Sequence, residues 1–167
     1  ADGAIRFTVE KSGWYQMSDS SVQQLDLSPY SSLTINDIVL DSQLGYWLAT
    51  QEEGLLLKGR DTVRQMGEEF GIESRGVKDI VLDSSGVLWA LSTSGGLLEM
   101  RIEPDSALQW EVIKWGLLEG LPTQRLNAMH LDQWQRLWIC TADAGLLCWK
   151  KGALLYHFRK GAGLSTN

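Results

Sequence analysis

The chain has 167 residues, of which 44 % are apolar and 22 % are charged, so it can bury a core and does not have the composition of a disordered segment. Its formal charge of −6 argues against a nucleic-acid partner, because phosphate binding needs clustered Lys and Arg and the longest basic run is Lys150 and Lys151. It contains no run of roughly 18 apolar residues, so no membrane span is expected in this segment.

A block of residues recurs three times along the chain. It runs from Asp41 through Trp47 to Gly54, from Asp83 through Trp89 to Gly96, and from Asp132 through Trp138 to Gly145. Every copy has six positions from Asp to Trp and seven from Trp to Gly, whereas the copies start 42 and then 49 residues apart. Constant spacing inside a copy and variable spacing between copies indicate one supersecondary unit that was duplicated and then took insertions in its loops.

Short strand-like runs bounded by turn residues make up each unit. In the first complete unit, strands are predicted at 38–40, 47–50, 55–57 and 63–66. Four strands in a repeat of about 40 to 50 residues are typical of a β-propeller blade. No stretch keeps the apolar i, i+3, i+4, i+7 pattern of a helix, so the sequence predicts an all-β propeller of four-stranded antiparallel blades.

The two ends of the chain predict an incomplete set of blades. Residues 3–17 align with 86–100 without a gap, which makes 1–33 a partial blade that lacks its innermost strand. Complete blades are expected at about 34–75, 76–124 and 125–163, and residues 164–167 match the lead-in to a further blade. We therefore expect a fragment of a larger propeller, or a segment that completes a ring by self-association through its open blade flanks.

These features resemble the two-component regulator propeller repeat. The best copy starts at Gly120-Leu121-Pro122-Thr123, passes through Leu137-Trp138 and reaches Gly145-Leu146. The similarity is strong over about residues 35–167 and weak over 1–34, where Arg6 stands in place of the repeated Trp. The resemblance implies a sensor propeller in the extracytoplasmic, periplasmic region of a membrane receptor, commonly a hybrid histidine kinase and sometimes a cyclic-dinucleotide synthase. It also implies recognition of polysaccharide breakdown products or other small ligands.

The repeated residues are interpreted as structural. Each Asp closes the first strand of its unit, where a carboxylate accepts backbone N–H groups of a tight turn. Each Trp begins the next strand, where a large ring can pack between blades. Three repeated carboxylates also allow an ion-binding ring or catalytic acids, but catalysis breaks repeat symmetry whereas folding preserves it.

Two cysteines, Cys140 and Cys148, fall on one predicted hairpin. With the turn centred at Ala144 they would lie opposite each other on adjacent strands, so a disulfide is one expectation and two buried thiols are the other. The two histidines, His130 and His157, occupy different positions in the blade, so neither a metal nor a cofactor is expected.

Ligand-binding residues are expected among the non-repeated residues of one rim. In an up-and-down blade, the loop between strands two and three and the loop between blades emerge on the same face. On that face the chain offers Glu52, Glu53, Arg75, Gln124, Arg125 and Asp143. Their carboxylates, guanidinium forks and amide can hydrogen-bond a sugar or a charged small ligand, and a solvated surface is the alternative. Trp134 on the opposite face, and Trp110 or Trp115 in the long insertion of the third blade, offer stacking surfaces for a sugar or a partner.

Three classes of function remain open. The favoured one is a non-catalytic sensing or interaction segment of a two-component-type receptor, whose ligand shifts the equilibrium between signalling states of an output domain outside this chain. A propeller enzyme of the lyase or quinone-dehydrogenase type is the second, although the sequence has no Ser, His and Asp set and no metal cluster. A protein-binding scaffold is the third, although the Gly-His and Trp-Asp signatures of WD repeats are absent.

Overall fold

The computed structural model describes residues 5–9, 13–18, 21–30, 32–70, 72, 75–102 and 110–164. Within these residues the chain forms successive β-sheets in which each strand is hydrogen-bonded to its neighbours in sequence. The predicted all-β fold of antiparallel, blade-like sheets is confirmed. None of the described segments is a helix of the length and apolar character that crossing a membrane requires.

Four sheets, called blades 1 to 4 in chain order, make up the described structure. Blade 1 contains β1 (Ile5–Val9), β2 (Gly13–Ser18) and β3 (Ser21–Gln24). Blade 2 contains β4 (Ile35–Asp41), β5 (Gly45–Thr50), β6 (Leu55–Lys58) and β7 (Val63–Met66), and is followed by a short 3₁₀ turn, Glu68–Phe70. Blade 3 contains β8 (Val77–Leu82), β9 (Leu88–Ser92), β10 (Leu97–Ile102) and β11 (Trp110–Trp115). Blade 4 contains β12 (Leu126–Leu131), β13 (Leu137–Thr141), β14 (Leu146–Lys150), β15 (Ala153–Lys160) and the short β16 (Gly163–Leu164), which pairs in parallel with β15.

The apolar core lies between blades. Successive side chains of a strand point to opposite faces, and a blade with a neighbour on each side must bury both faces. In β5, Trp47 and Ala49 contribute to the core shared with blade 3, whereas Leu48 contributes to the core shared with blade 1. A third core joins blades 3 and 4 and includes Trp89 and Trp149. This two-sided burial explains why the middle strands are almost continuously apolar.

Inner-strand side chains bond one blade to the next. The Oδ2 atom of Asp37 in β4 accepts the backbone N–H of Ile80 in β8 at 3.1 Å. Asp79, at the same position of β8, accepts the backbone N–H of Met129 in β12 at 2.6 Å. The register of each inner strand shifts just before this position, as it does at Ala128 of β12. The two carboxylates therefore fix the spacing of three successive inner strands.

The loops form two rims. The upper rim consists of the loops at 51–54, 93–96 and 142–145 with the segments between blades, and the lower rim consists of the turns at 42–44, 83–87 and 132–136 with the ends of β6, β10 and β14. On the upper rim, backbone N–H groups of Gln51, Thr93 and Ala142 donate to the carbonyls of Thr34, Gly76 and Arg125 at 2.9, 2.9 and 2.8 Å. Each loop between strands two and three is thereby tied to the segment that enters its own blade.

Of the two expectations for Cys140 and Cys148, the disulfide is wrong because each cysteine lies two positions away from the other's cross-strand partner, and burial is found for Cys148 but not for Cys140. Cys140 lies opposite Leu146, and Cys148 lies opposite Trp138, so the turn is centred at Asp143 rather than Ala144. Both thiols are free, with Cys140 exposed and Cys148 buried. At the end of the chain, Leu164 pairs with Lys160, and residues 165–167 of the predicted lead-in lie outside the described residues.

Candidate functional site

The six predicted ligand-binding residues all lie on the upper rim, but they have different surroundings. Glu52 Oε2 accepts the backbone N–H of Thr34 at 3.1 Å. Glu53 accepts the side-chain amide of Gln65 twice, at its carboxylate (3.1 Å) and at its carbonyl (3.0 Å). The carbonyl of Arg75 accepts the N–H of Gly54 at 2.6 Å. Hydrogen bonds of these three residues thus hold the rim of blade 2 together.

The remaining three predicted residues cluster at the entry to blade 4. Arg125 Nη1 lies 3.4 Å from Asp143 Oδ2, and the other carboxylate oxygen of Asp143 accepts the hydroxyl of Thr123 at 2.8 Å. The same hydroxyl accepts the backbone N–H of Arg125 at 3.0 Å. More than two thirds of the Arg125 side chain is exposed, so this ion pair contributes little to stability and leaves guanidinium N–H groups facing solvent.

A polar cleft of 420 Å³ opens beside this cluster, between the inner strands of blades 3 and 4. Its walls are formed by Lys78, Thr93, Ser94, Gly95, Gln124, Arg125, Asn127 and Ala142. Lys78 Nζ donates to the carbonyl of Leu126 at 2.9 Å, which holds the ammonium group across the gap between the two blades. Gly95 has a φ of +101°, and a Cβ there would lie 3.1 Å from Cβ of Gln124, so the backbone approaches this wall closely. The sequence identified Gln124 and Arg125 of this cleft and missed Lys78 and Asn127, which lie on inner strands.

The repeated carboxylates organise the lower-rim turns. Oδ1 of Asp41 accepts the N–H groups of Gln43 and Leu44, that of Asp83 accepts those of Ser85 and Val87, and that of Asp132 accepts those of Trp134 and Arg136. Asp132 also binds the side chains of Arg136 and Trp138. Desolvation acts to raise the pKa of Asp132, but these donors outweigh it and hold that pKa well below its usual range. Each of these three carboxylates accepts hydrogen bonds from its own turn.

The repeated tryptophans differ in what covers them. Trp47 is 0 % exposed and Trp89 is 6 % exposed, each against the next blade. Trp138 is only half-buried and stacks on Phe158 at 6.1 Å between ring centroids. The face of blade 4 that points away from blade 3 is called its front face. It presents Trp138, the equivalent of the tryptophans that blades 2 and 3 bury against the next blade.

Among the three other predicted stacking residues, Trp134 alone has an exposed ring. It is 58 % exposed, and the guanidinium of Arg136 lies 4.7 Å from its centroid. Trp110 packs edge-on against Trp47, and Trp115 packs edge-on against Trp149, so both are parts of the cores between blades. The described residues bring no group of three or more His, Cys, Asp or Glu side chains together as a metal site.

The lower rim contains two further cavities that the repeat pattern did not predict. One has a volume of 750 Å³ and lies between the Asp41 and Asp83 turns, and the other has a volume of 250 Å³ and lies between blades 3 and 4. Arg101 lines both, and Glu99 lines the smaller one. A sequence signal existed, because Glu99 is the third residue after its repeated Gly, where the other complete blades have Leu57 and Cys148.

Comparison with known proteins shows where this architecture occurs. The chain matches the extracellular domain of a protein assigned to a hybrid two-component system of B. thetaiotaomicron, BT3049, with 19 % identity and a TM-score of 0.74 over 98 % of its own length. Two structures of the extracellular domain of BT4673 from the same organism match over 84 % and 90 % of the chain, with 18 % and 17 % identity and TM-scores of 0.61. The chain has the fold of these extracellular domains. It spans about a fifth of their length, at 22 %, 19 % and 20 %.

The structural matches agree with the resemblance seen in the repeats. At 17 to 19 % identity they establish the fold and leave the ligand and the output of this chain to be inferred from its own residues. No protein-family model and no curated protein sequence matches the chain.

Proposed function

We propose that this chain is a non-catalytic, ligand-recognising segment of an extracytoplasmic receptor of the two-component type. The observation that carries the proposal is the polar cleft on the upper rim, where loops and inner strands of two blades converge. Its volume of 420 Å³ falls in the range of about 300 to 1,000 Å³ that is usual for small-molecule sites. The fold of the chain, which it shares with extracellular domains of sensor systems, supports the same assignment.

The chemistry of the cleft suits an uncharged or weakly charged polyhydroxylated ligand such as an oligosaccharide. Gln124 and Asn127 offer amide groups that both donate and accept, and the hydroxyls of Thr93 and Ser94, which are bonded to the Gly76 carbonyl and to Ser92, add oxygen atoms that can accept. Arg125 adds a planar set of donors at the exposed edge. A sugar ring carries alternating hydroxyl donors and acceptors, which such a mixed lining can pair.

Ligand binding would be coupled to signalling through the contact between blades. The cleft has walls from β8 of blade 3 and β12 of blade 4, so a ligand bridging them favours the arrangement in which the walls are close together. In such a receptor the output domain would lie outside this chain.

We also propose that the terminal blade flanks are association surfaces. The outer flank of blade 1 exposes Val9, Met17 and Val22 beside the stacked rings of Phe7 and Tyr15, which are 5.7 Å apart. The front of blade 4 exposes Tyr156 next to Phe158 and Trp138. In the described blades, the front face of one blade packs against the opposite face of the next blade. The two terminal flanks are therefore a front face and an opposite face that could pack together in the same way. A second copy of the chain would bury both.

The test of ligand recognition is binding of neutral oligosaccharides to the purified chain, screened on a glycan array and quantified by calorimetry. A ligand of the upper-rim cleft should bind about tenfold more weakly to Arg125→Gln or Gln124→Ala, while the exposed Arg159→Gln on β15 keeps the affinity. Absence of any glycan binding, or equal binding by all variants, would contradict the assignment.

Self-association is tested separately by measuring the mass of the chain in solution. Trp138→Asp should shift the chain towards monomer, and a wild-type chain that is monomeric at all concentrations would exclude self-association.

A further inference from the structure

The lower rim contains a buried carboxylate that the repeat does not require. Glu99 is 1 % exposed and lies on the face of β10 that packs against blade 4, opposite Trp89. The corresponding residues of the other complete blades are Leu57 and Cys148. A buried charge is costly unless it is paired and hydrogen-bonded, and an apolar residue at such a site is often at least as stable. Packing alone therefore does not explain the glutamate.

Glu99 fixes the position of a neighbouring guanidinium. Its Oε1 atom accepts Nε of Arg101 at 2.8 Å and also contacts Nη2, and its Oε2 atom accepts the indole N–H of Trp115 at 2.9 Å. These bonds to Glu99, and its charge, raise the pKa of Arg101 further above its usual value. Both carboxylate oxygens are engaged, whereas the Arg101 side chain is 49 % exposed and its Nη1 group lies outside the pair. The result is a guanidinium held in one orientation with donors directed away from Glu99.

Arg101 lies where the two lower-rim cavities meet. Both cavities also share Asp83, Ser84, Ser85 and Val87. The smaller cavity adds Lys150 and Lys151 on the wall contributed by blade 4, together with Gln135. Lys150 Nζ donates to the carbonyl of Trp134 at 2.7 Å, which fixes its position as well.

Some acceptors that line the smaller cavity are already engaged by neighbouring donors. Oδ1 of Asp83 already accepts three bonds, from the N–H and hydroxyl of Ser85 and from the N–H of Val87, and Gln135 Oε1 accepts the N–H of Ser84. Trp149 lines the same cavity, and its buried indole N–H has no acceptor among the described residues. Arg101, Lys150 and Lys151 line this cavity beside Asp83 and Glu99, and Glu111 lies opposite Arg101 on β11. Because Glu99 orients the guanidinium and half of it is exposed, a ligand that supplies acceptor oxygens can bind its outward-facing donors.

We propose that this lower-rim cavity binds the carboxylate group of a small organic ligand. Arg101 supplies the planar donor fork, which matches the two oxygens of a carboxylate, and Lys150 and Lys151 supply further positive charge. Glu99 is a positioning residue that acts through Arg101. The site is separate from the upper-rim cleft, and its existence does not depend on a ligand there.

The experiment is a titration of the ¹⁵N-labelled chain with D-glucuronate and, in parallel, with its uncharged analogue D-glucose, followed by NMR. Glucuronate is expected to shift the indole signals of Trp115 and Trp149 saturably at millimolar concentration, and glucose is not. Arg101→Gln should weaken glucuronate binding by about tenfold or more, because a charge-assisted contact is lost. Arg159→Gln, which removes the same charge from an exposed site on β15, should bind as the wild type does.

A second pair of variants separates ligand positioning from folding. Glu99→Leu supplies the residue type of Leu57 and is expected to fold with lower stability, because the Trp115 indole N–H loses its acceptor, and to lose glucuronate binding. Glu99→Gln keeps an acceptor for Trp115 and should bind with intermediate affinity. Equal shifts with glucuronate and glucose, no shift with glucuronate, or full binding by Arg101→Gln would overturn the proposal. Binding of inorganic phosphate but not glucuronate, with the same dependence on Arg101, would overturn the assignment to a carboxylate.

Discussion

Oδ2 of Asp79 accepts the backbone N–H of Met129 at 2.6 Å, so a carboxylate of blade 3 is bonded to the innermost strand of blade 4. Burial, the largest cause, and the neighbouring carboxylate of Asp37 raise the pKa of Asp79, the N–H groups of Met129 and Ile80 oppose them, and the net pKa is about 6. The joint between these blades is therefore sensitive to pH in a mildly acidic range.

Asp79→Asn is expected to remove a component of the pH dependence of stability. An unperturbed Asp titrates near 3.8, so between about pH 4 and 6 the folded chain holds a proton that the unfolded chain has released. Stability from this proton is present below the unfolded pKa and is lost as pH rises through 6. Relative to Asp79→Asn, the wild type should lose on the order of 1 kcal/mol of unfolding free energy between pH 4 and pH 7, since partial exposure reduces the effect. Urea denaturation at both pH values measures this difference in unfolding free energy. An equal change between pH 4 and pH 7 in the two proteins would contradict the prediction.

Equivalent tryptophans should differ in their contribution to stability. Trp47→Ala removes a ring that is completely buried between blades 2 and 3 and should cost about 3 to 5 kcal/mol. Trp138→Ala removes the equivalent half-buried ring of blade 4 and should cost clearly less, about 1 to 2 kcal/mol. Urea midpoints of dilute samples compare the two directly. Equal losses would show that the front of blade 4 is covered in solution.

Two glycines with the same φ should respond differently to alanine. Gly86 and Gly145 both have a φ of +83°, a conformation that costs an L-residue about 1 kcal/mol. A Cβ at Gly86 meets nothing within 4 Å, whereas a Cβ at Gly145 collides with the carbonyl oxygen of Phe158. Gly86→Ala should therefore lose about 1 kcal/mol, and Gly145→Ala should lose several times as much or fail to fold, as thermal melts will show.

The two thiols should react at different rates with a colourimetric disulfide reagent. Cys140 is exposed and should react in the folded chain. Cys148 is buried, and burial raises the pKa of its thiol, so it should react only after denaturation. A mass of the native chain that is two hydrogens below that of the reduced chain, together with no titratable thiol, would show that Cys140 and Cys148 form a disulfide.

The spacing of the repeat was sufficient to predict the blades, because each unit places turn residues and apolar strands at fixed intervals. The same spacing predicted that the loops at 51–54 and 142–145 share a rim, since strand direction alternates along the chain. It was not sufficient for the hairpin of Cys140 and Cys148. An offset of one residue in the turn changes every cross-strand partner, and turn geometry depends on contacts such as the one between Gly145 and Phe158.

The sequence by itself determined the repeating unit, its strand order and the structural role of Asp41, Asp83 and Asp132, because these follow from local spacing and local hydrogen bonds. Only the tertiary structure decided which side chains of different blades meet. Asp79 reaches Met129, Lys78 reaches Leu126, and Arg101 shares a cavity with Lys150, although each pair is separated by about one repeat in sequence. Such contacts depend on how one blade is rotated against the next, and that rotation results from packing of the whole interface.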